Sequence, residues 1–481
     1  MNEKLVRQGL KKTIFKNLTS IANVLSVTFV GSFAERKDLS GISDIDTVVI
    51  CDHLTEDVFN SCMAAAGSIS LGELGLKEYI LKINSSFGPL KFDDKNLVVI
   101  HLMVYDLQSH LQHVISSPFT CLDWERSENV VGIRLKDIFP VGRLQPRDFM
   151  EARRGIENYF SDIKNGCVTY REYEFYESKV TEVKHSHPLD RRHQGEYAYH
   201  IVKFLLLNFL KLIHRKNCFF SEKEVAAAIK EFFESGRQDH FAKFKKIAEL
   251  KKSRSLKYPD WVIEWTSDFI TDFQGGFIKH WKKAKTVYFI RHALTSLNDG
   301  TFLGVVRDPE VKESHLPEIL EFEIDTIFSS PALRATQTAK ALCPNKAIKQ
   351  EELLREIDYG RAEGMTYEDL RVNYPEIISA WSDGKDPSFP GGGENSLCVN
   401  ARLKKFMKKL SPIALSTTLV VSHNVVLRCL IGDTHAIPPQ NWHQLKIPHS
   451  VPLEFKLLEG KYYPNIPRTI LGETFSKIKG A

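Results

Sequence analysis

The sequence has no Cys-x-x-Cys pair, and its eight cysteines lie far apart along the chain. This spacing argues against a zinc ribbon and a disulfide framework, and it suits a reducing compartment. The longest apolar run, around residues 204–213, is interrupted by Asn208 and Lys211 and is too short to span a bilayer. The first residues also lack the unbroken apolar core of a secretory signal. We therefore expect a cytoplasmic protein without a membrane partner.

An excess of one charge is absent as well. The 65 Lys and Arg residues against 60 Asp and Glu leave a net charge of only +5. This balance permits anionic substrates but does not indicate a dedicated nucleic-acid-binding surface, although it leaves an RNA acceptor open. The 481 residues exceed one ordinary hydrophobic core, so several domains are expected. Composition does not define the oligomeric state.

The hydrophobic pattern divides the chain into three regions. Residues 1–135 mix helix-like stretches with β-type runs, residues 136–283 are helical in pattern, and residues 284–481 alternate apolar runs with helical periods. In the middle region, Ser221 and Glu224 have the spacing of a capping box at a helix start. The sequence thus predicts an α/β multidomain protein. Its parts are a small mixed-sheet domain, an all-α middle domain and an α/β domain with a mainly parallel sheet.

A pair of carboxylates opens the second strand-like run of the first region. Asp44 and Asp46 are two residues apart, so on a strand they project from one face while Ile45 points into the core. Two such carboxylates can hold Mg²⁺ ions that bridge triphosphate oxygens. Gly31 and Ser32 precede the pair by a spacer of eleven residues, and they can approach a phosphate through the backbone and the hydroxyl. The alternative is a polar strand start whose aspartates cap a turn.

This constellation resembles the nucleotidyltransferases of the DNA polymerase beta superfamily, whose signature is Gly-Ser, a spacer and Asp-x-Asp. By that resemblance, Asp44 and Asp46 bind the metal, and the Gly-Ser pair binds the nucleoside triphosphate. The family usually carries a third carboxylate on a later strand. Here the run at residues 96–106 offers His101 in its middle and Asp106 at its end. The pattern does not decide between the two.

A second chemical signal lies in the last region, where apolar runs end in Arg291-His292 and in Ser422-His423. Between them, Ser330-Pro331 starts a helical pattern that carries Arg334 near an expected helix N-terminus. Two guanidinium groups and two imidazoles suit a tetrahedral phosphate dianion. His292 can attack phosphorus while the other three groups neutralise the oxygens.

A carboxylic acid must also protonate the leaving alkoxide. Glu356 is the first candidate and Glu363 the second. A loop rich in Gly, Pro and Asp at residues 381–395 is expected to select the leaving group, with Lys385 as a contact.

This set resembles the histidine phosphatase superfamily, the relatives of cofactor-dependent phosphoglycerate mutase, over residues 284–458. By that resemblance the domain has three layers, and its catalytic residues are those named above: Arg291, His292, Arg334, Glu356 and His423. The chain departs from the family where Ala293 and Asn424 replace glycines. The resemblance implies no cofactor for this domain, and it leaves phosphatase and mutase activity open.

Together the motifs predict a bifunctional enzyme with a nucleotidyltransferase domain (residues 1–135), a helical domain (136–283) and a histidine phosphatase domain (284–481). The first activity would transfer a nucleotidyl group from a nucleoside triphosphate to a small-molecule acceptor with Mg²⁺. The second would hydrolyse a phosphorylated small molecule through a phosphohistidine. Two alternatives remain for the first domain: a protein or RNA acceptor, or a catalytically dead nucleotide sensor that regulates the phosphatase.

Overall fold

The computed structural model describes residues 3–35, 39, 44–84, 96–176, 179–232, 238–253 and 255–476. These residues form two compact units. The first runs up to Leu144 and continues over Asp148–Ile278, and the second comprises Gln145–Arg147 and the residues from Lys279 onward. Within the described part of the chain, no helix combines the length and the apolarity needed to cross a bilayer.

The helices and strands are numbered in chain order. The α-helices are α1 (Glu3–Thr19), α2 (Gly31–Glu35), α3 (Glu56–Gly67), α4 (Leu107–Ser116), α5 (Pro118–Trp124), α6 (Leu135–Ile138), α7 (Asp148–Glu151), α8 (Ile156–Lys164), α9 (Arg191–His214), α10 (Glu222–Phe232), α11 (Gln238–Lys252), α12 (Val262–Lys282), α13 (Leu333–Leu342), α14 (Tyr367–Asn373), α15 (Pro375–Ser382), α16 (Ser396–Ile413), α17 (Asn424–Thr434) and α18 (Arg468–Phe475). The strands are β1 (Val24–Phe29), β2 (Ile45–Cys51), β3 (Ile80–Ile83), β4 (Leu97–Asp106), β5 (Val130–Gly132), β6 (Cys167–Tyr176), β7 (Lys179–Pro188), β8 (Lys285–Arg291), β9 (Thr326–Ser329), β10 (Ile348–Gln350), β11 (Thr417–Ser422), β12 (Leu453–Leu458) and β13 (Lys461–Pro464).

A mixed five-stranded sheet forms the first part of the first unit, with the strand order β3-β4-β2-β1-β5. Strand β4 pairs in parallel with both β3 and β2, whereas β1 is antiparallel to β2 and to β5. Helix α1 buries Val6, Leu10, Ile14 and Leu18, a stripe at four-residue spacing, in the core on one face of this sheet. Ile45 lies in the same core, as predicted, so Asp46 projects from the opposite face.

The middle region is not all-α, and that prediction is corrected here. Strands β6 and β7, ten residues each, form a two-stranded antiparallel sheet between α8 and α9. His185 and His187 therefore lie on β7, and His193 and His200 lie on α9, whose N-cap is Asp190. The predicted capping box is present: Glu224 accepts hydrogen bonds from the N–H and the hydroxyl of Ser221 at 2.6 and 2.8 Å.

The second unit is built on a six-stranded sheet with the order β10-β9-β11-β8-β12-β13. The first four strands are parallel, and β12 and β13 add an antiparallel edge. Successive side chains of the central strands enter two separate cores: Phe289 packs with α16 and α17, whereas Ile290 packs with α13. The sheet is therefore covered on both faces, which is the predicted three-layer arrangement with a mainly parallel sheet.

Residues 145–147 join this second unit through hydrogen bonds to the segment after β13. The Oε1 atom of Gln145 accepts the N–H of Ile466 at 2.6 Å, and Nε of Arg147 donates to the carbonyl of Asn465 at 3.0 Å. The division into three domains, with boundaries at 135 and 283, stays a prediction.

Candidate active site

The two predicted histidines follow the carboxyl ends of neighbouring parallel strands. Arg291, the last residue of β8, is in register with Ser422, the last residue of β11. The next residue on each strand is a histidine, and the N–H of His292 donates to the carbonyl of Ser422 at 2.9 Å. The imidazole centroids of His292 and His423 are 5.2 Å apart. The parallel register thus brings the two histidines together at the carboxyl ends of the strands, where open α/β sheets bind their ligands.

His292 is held as a neutral imidazole. Its Nδ1 atom lies 2.8 Å from the carbonyl oxygen of Ala293, and because a carbonyl only accepts, Nδ1 carries the proton and donates. The Nε2 atom then carries the free lone pair. Burial, together with the charges of Arg334 and Arg291, lowers the pKa of His292 well below its usual value, so the neutral form persists at neutral pH.

Arg334 is buried, Arg291 is partly buried, and backbone carbonyls hold both guanidinium groups. Arg334, near the start of α13 as predicted, donates through Nη2 to the carbonyl of Gly304 at 2.8 Å. Its Nη1 lies 3.1 Å from both the carbonyl of Arg307 and a carboxylate oxygen of Asp308. Nη1 of Arg291 donates to the carbonyl of Ile447 at 2.8 Å. Burial lowers the pKa of Arg291 to about 10, which leaves the guanidinium charged at neutral pH.

Three buried nitrogens of this cluster make no hydrogen bond to any residue that the structure describes. They are Nε of Arg291, Nε of Arg334 and Nδ1 of His423. The other ring nitrogen of His423 lies 2.7 Å from the hydroxyl of Ser330. Buried polar atoms normally have partners, and all three of these atoms belong to residues predicted to neutralise phosphate oxygens. The cluster is therefore built to accept an anion with several oxygen atoms.

Glu356 lies beside this cluster and is 4% exposed. Its carboxyl group accepts the N–H groups of Ile357 at 3.0 Å and of Val425, in the first turn of α17, at 3.1 Å. Burial raises the pKa of Glu356, although these hydrogen bonds and the nearby guanidinium groups of Arg334 and Arg291 oppose the rise. The carboxyl group is thus placed to hold a proton at a pH where an exposed glutamate has lost it.

Comparison with known proteins identifies the second unit. The model of the histidine phosphatase superfamily (branch 1) matches residues 287–454. Phosphoserine phosphatase 1 of Hydrogenobacter thermophilus is 30% identical over 152 residues, which are 29% of this chain and 72% of that protein. The chain belongs to the histidine phosphatase superfamily. The strand-end histidines, the two arginines and the buried glutamate all lie within the matched residues.

Other relatives match this domain over a smaller share of their length. A 6-phosphofructo-2-kinase/fructose-2,6-bisphosphatase of Caenorhabditis elegans is 30% identical over 175 residues. Those residues are 35% of this chain, and the chain spans only 38% of the length of that relative. The match to a solved structure of the alpha-ribazole phosphatase from Shigella flexneri covers 38% of this chain and 95% of that chain, at 19% identity and a TM-score of 0.34.

The two departures from the family's glycines do not strain the backbone. Ala293 and Asn424 are both absent from the residues with positive φ, so neither position requires a glycine here. Ala293 is fully buried, and its N–H donates to the hydroxyl of Thr338 at 2.9 Å.

Glu363, the second candidate for the acid, has a different place in the structure. Its carboxylate accepts three backbone N–H groups, those of Gly304 at 3.2 Å, Val306 at 3.1 Å and Arg307 at 2.6 Å. The carbonyls of Gly304 and Arg307 are the ones that hold the guanidinium of Arg334. Glu363 therefore fixes the loop that positions Arg334, and Glu356 remains the candidate acid.

His449 is a site residue that the sequence reasoning missed. Its Nδ1 atom lies 2.7 Å from the carbonyl of His292, and the two ring centroids are 5.5 Å apart. Burial first, and then the charge of Arg291, lower the pKa of His449 to about 4. A neutral Nδ1–H group thus donates to the backbone carbonyl of His292. The available signal was a histidine shortly before the apolar run of β12. Because β12 is antiparallel to β8, the start of β12 lies at the edge of the sheet where β8 ends.

The first unit contains the second predicted cluster. Asp46 on β2 is in register with His101 on β4, and Oδ1 of Asp46 lies 3.0 Å from Nδ1 of His101. One ligand atom from each of Asp44, Asp46 and His101 can lie within 4.8 Å of the others. Gly31 has a φ of +65°, and a Cβ atom there would lie 2.4 Å from Oδ2 of Asp46, so a side chain would collide with the carboxylate. Ser32 follows in α2.

His101 and Asp106, the two candidates for the position of the third carboxylate, have different surroundings in the structure. Asp106 caps α4: its Oδ1 accepts the N–H and the hydroxyl of Ser109, each at 2.7 Å. His101 lies in the cluster, and although burial lowers its pKa, Asp46 and then Asp44 outweigh burial and raise it. Two carboxylates and an imidazole fit a divalent cation. Because the family match begins at residue 287, the nucleotidyltransferase assignment stays a prediction.

The role of Glu363 leads to a test by substitution. Glu363→Gln places amide hydrogens against the backbone N–H groups of the 304–307 loop, so we expect a loss of about 1–3 kcal/mol in the free energy of unfolding. Phosphatase turnover should fall by a similar factor for alkyl and aryl phosphates, because Arg334 is displaced while the acid is intact. Urea unfolding and steady-state kinetics measure both effects, with the exposed Glu310→Gln as the control. A loss confined to alkyl phosphates would make Glu363 the acid.

Proposed function

We propose that the histidine phosphatase domain hydrolyses phosphomonoesters through a phosphohistidine at His292. The observation that supports this most directly is a set of three buried nitrogens, of Arg291, Arg334 and His423, that have no hydrogen-bond partner among the described residues and lie in the cluster of the neutral His292 imidazole. A phosphate dianion supplies the acceptors that these nitrogens lack. The nucleophile and the neutralising groups are thus already in place before the substrate binds.

In the first step, the lone pair on Nε2 of His292 attacks phosphorus. The bond from phosphorus to the ester oxygen breaks, and that oxygen leaves with the proton of the Glu356 carboxyl group. Arg291 and Arg334 stabilise the charge on the three equatorial oxygens. The hydrogen bond from Nδ1 of His292 to the carbonyl of Ala293 fixes the tautomer and stabilises the imidazolium that forms.

In the second step, a water molecule replaces the departed alcohol. The Glu356 carboxylate takes a proton from this water as its oxygen attacks phosphorus, and the bond from phosphorus to nitrogen breaks. Inorganic phosphate leaves, and both His292 and Glu356 return to their initial protonation states. One residue thus acts as the acid in the first step and as the base in the second.

The nucleophile is tested by trapping. His292→Ala should abolish hydrolysis of a chromogenic phosphomonoester, and the wild-type protein should carry a label from ³²P-phosphoester that is stable in alkali and lost in acid. Peptide mapping should place that label on His292. The exposed His315→Ala serves as the control and should retain full activity. Undiminished turnover in His292→Ala would remove it as the nucleophile.

The acid is tested by comparing leaving groups. Glu356→Gln should slow alkyl phosphates by about 10²–10⁴-fold, because their poor leaving groups need the proton, and should slow aryl phosphates much less. In the wild type, the raised pKa of Glu356 keeps the acid protonated to higher pH. The kcat for alkyl phosphates should therefore fall only as the pH rises through that raised value, and this alkaline limb should disappear in Glu356→Gln. Equal losses on both substrate types would indicate a role in positioning phosphate.

For the first unit we propose metal-dependent nucleotidyl transfer from a nucleoside triphosphate. The supporting observation is the cluster of Asp44, Asp46 and His101 beside a glycine that cannot carry a side chain. These residues would hold Mg²⁺, which supplies charge neutralisation of the triphosphate when bound. The backbone at Gly31 and the hydroxyl of Ser32 would contact the phosphates. A small-molecule acceptor is the first choice, with a protein or RNA acceptor as the alternative.

The double substitution Asp44→Asn with Asp46→Asn tests this assignment. It should abolish Mg²⁺-dependent release of pyrophosphate while leaving phosphatase turnover within a few-fold, because the two sites lie in separate compact units. Asp52→Asn, at an exposed aspartate just after β2, is the control. Binding of triphosphate without any pyrophosphate release by the wild type would instead favour a sensor. Transfer of an α-phosphate label to a macromolecule would favour a protein or RNA acceptor.

A further inference from the structure

A cavity of about 190 Å³ opens in the second unit beside the candidate acid. Ile357 and Val425 line it, and these are the residues whose N–H groups bind the carboxyl group of Glu356. An ester oxygen that receives the proton of Glu356 therefore has this cavity next to it. The cavity is placed to take the leaving group, whereas the phosphoryl group belongs with His292.

Aromatic side chains form a large part of the cavity walls. Tyr359 packs edge-to-face against Phe389 with a centroid distance of 4.7 Å. The ring plane of Trp381 is nearly parallel to the ring planes of Tyr367 and His443, at interplanar angles of 14° and 11°. These rings contact one another, so their faces are fixed before a ligand arrives. Such surfaces favour a flat apolar ring over a chain that carries many hydroxyl groups.

Two cations, Lys385 and Arg428, line this cavity, and Lys385 pairs with Asp383 at 3.4 Å, whereas Arg428 has no acidic hydrogen-bond partner among the described residues. Arg428 lines the cavity and uses Nε to donate to the carbonyl of Leu445 at 2.7 Å, while its two Nη groups make no hydrogen bond within the described residues. Burial lowers its pKa, with Tyr359 and Glu356 as opposing influences. The cavity's own carboxylate, Asp386, is occupied by the N–H groups of Ser396 and Leu397. The guanidinium is therefore available to an anionic group of the ligand.

The size of the cavity suits a single ring. A cavity of about 150 Å³ holds a benzene molecule, so 190 Å³ accommodates one substituted ring. We propose that the preferred substrates are phosphomonoesters whose leaving alcohol carries a single flat ring with an anionic substituent, which Arg428 binds. This rests on the proposed phosphatase function and narrows its substrate class.

The test compares benzyl phosphate with 4-carboxybenzyl phosphate, whose leaving alkoxides are similar and which differ in the anionic substituent. Wild-type kcat/KM should be about 10- to 100-fold higher for the carboxylate. Arg428→Gln should remove this preference and leave benzyl phosphate within a few-fold, and Arg428→Lys should retain part of it. Arg371→Gln, an exposed arginine paired with Glu368 and outside the cavity lining, is the matched control.

The ring contribution is tested separately with Trp381→Ala. This variant should lose about tenfold in kcat/KM on both benzyl esters and little on ethyl phosphate. Higher kcat/KM for glucose 6-phosphate or glycerol 3-phosphate than for both benzyl esters would overturn the proposal. An equal loss on the two benzyl esters in Arg428→Gln would assign Arg428 to structure alone.

Binding of 4-(hydroxymethyl)benzoate to His292→Ala, measured by calorimetry, separates this proposal from the function on which it rests. Binding that is lost in the His292→Ala, Arg428→Gln double variant supports the cavity assignment even if the wild type hydrolyses no ester. Hydrolysis of phosphomonoesters without such binding, and without the carboxylate preference, would leave the phosphatase function standing and overturn the cavity assignment.

Discussion

The parallel register between β8 and β11 is the constraint on which the phosphatase site depends. Pairing Arg291 with Ser422 places the two following histidines at the same edge of the sheet. Because side chains alternate along a strand, a slip of one residue would turn one strand's buried side chains to the opposite core. Phe289 and Ile290 enter different cores, so packing on both faces resists that slip. The hydrophobic layers thus fix the catalytic geometry.

Burial shifts the pKa values of the site's side chains and also leaves some of its hydrogen-bond donors unpaired within the described residues, which is unfavourable. It lowers the pKa of His292 and of Arg291 and raises that of Glu356, so the His292 imidazole is neutral and the Glu356 carboxyl group can hold a proton. Unpaired buried donors are unfavourable by about 1–3 kcal/mol each, and this site contains several. Binding a dianion relieves that cost, and groups that are already fixed need little reorganisation in the transition state.

The sequence predicted the parts of the site that follow strands or begin helices, because hydrophobic runs locate those elements. His292, His423 and Arg334 are such residues. It ranked Glu356 before Glu363 but did not reveal their contacts, since both lie in an irregular segment whose hydrogen bonds run to distant backbone. His449 was missed for the same reason. The hairpin of β6 and β7 was missed because its strands carry many charged and polar residues, which weaken the alternating apolar pattern.

In both candidate sites the parallel pairing of two strands aligns the functional side chains, but the side chains of the two sites differ in charge. In the first unit, parallel pairing of β2 with β4 sets Asp46 opposite His101, just as β8 and β11 align the histidines of the second. Carboxylates concentrate negative charge, so a triphosphate can approach them only with a cation between. Guanidinium and imidazole groups supply positive charge from the protein itself. The proposed phosphate chemistry of the first site would therefore require an added metal, whereas the proposed chemistry of the second would draw its positive charge from side chains.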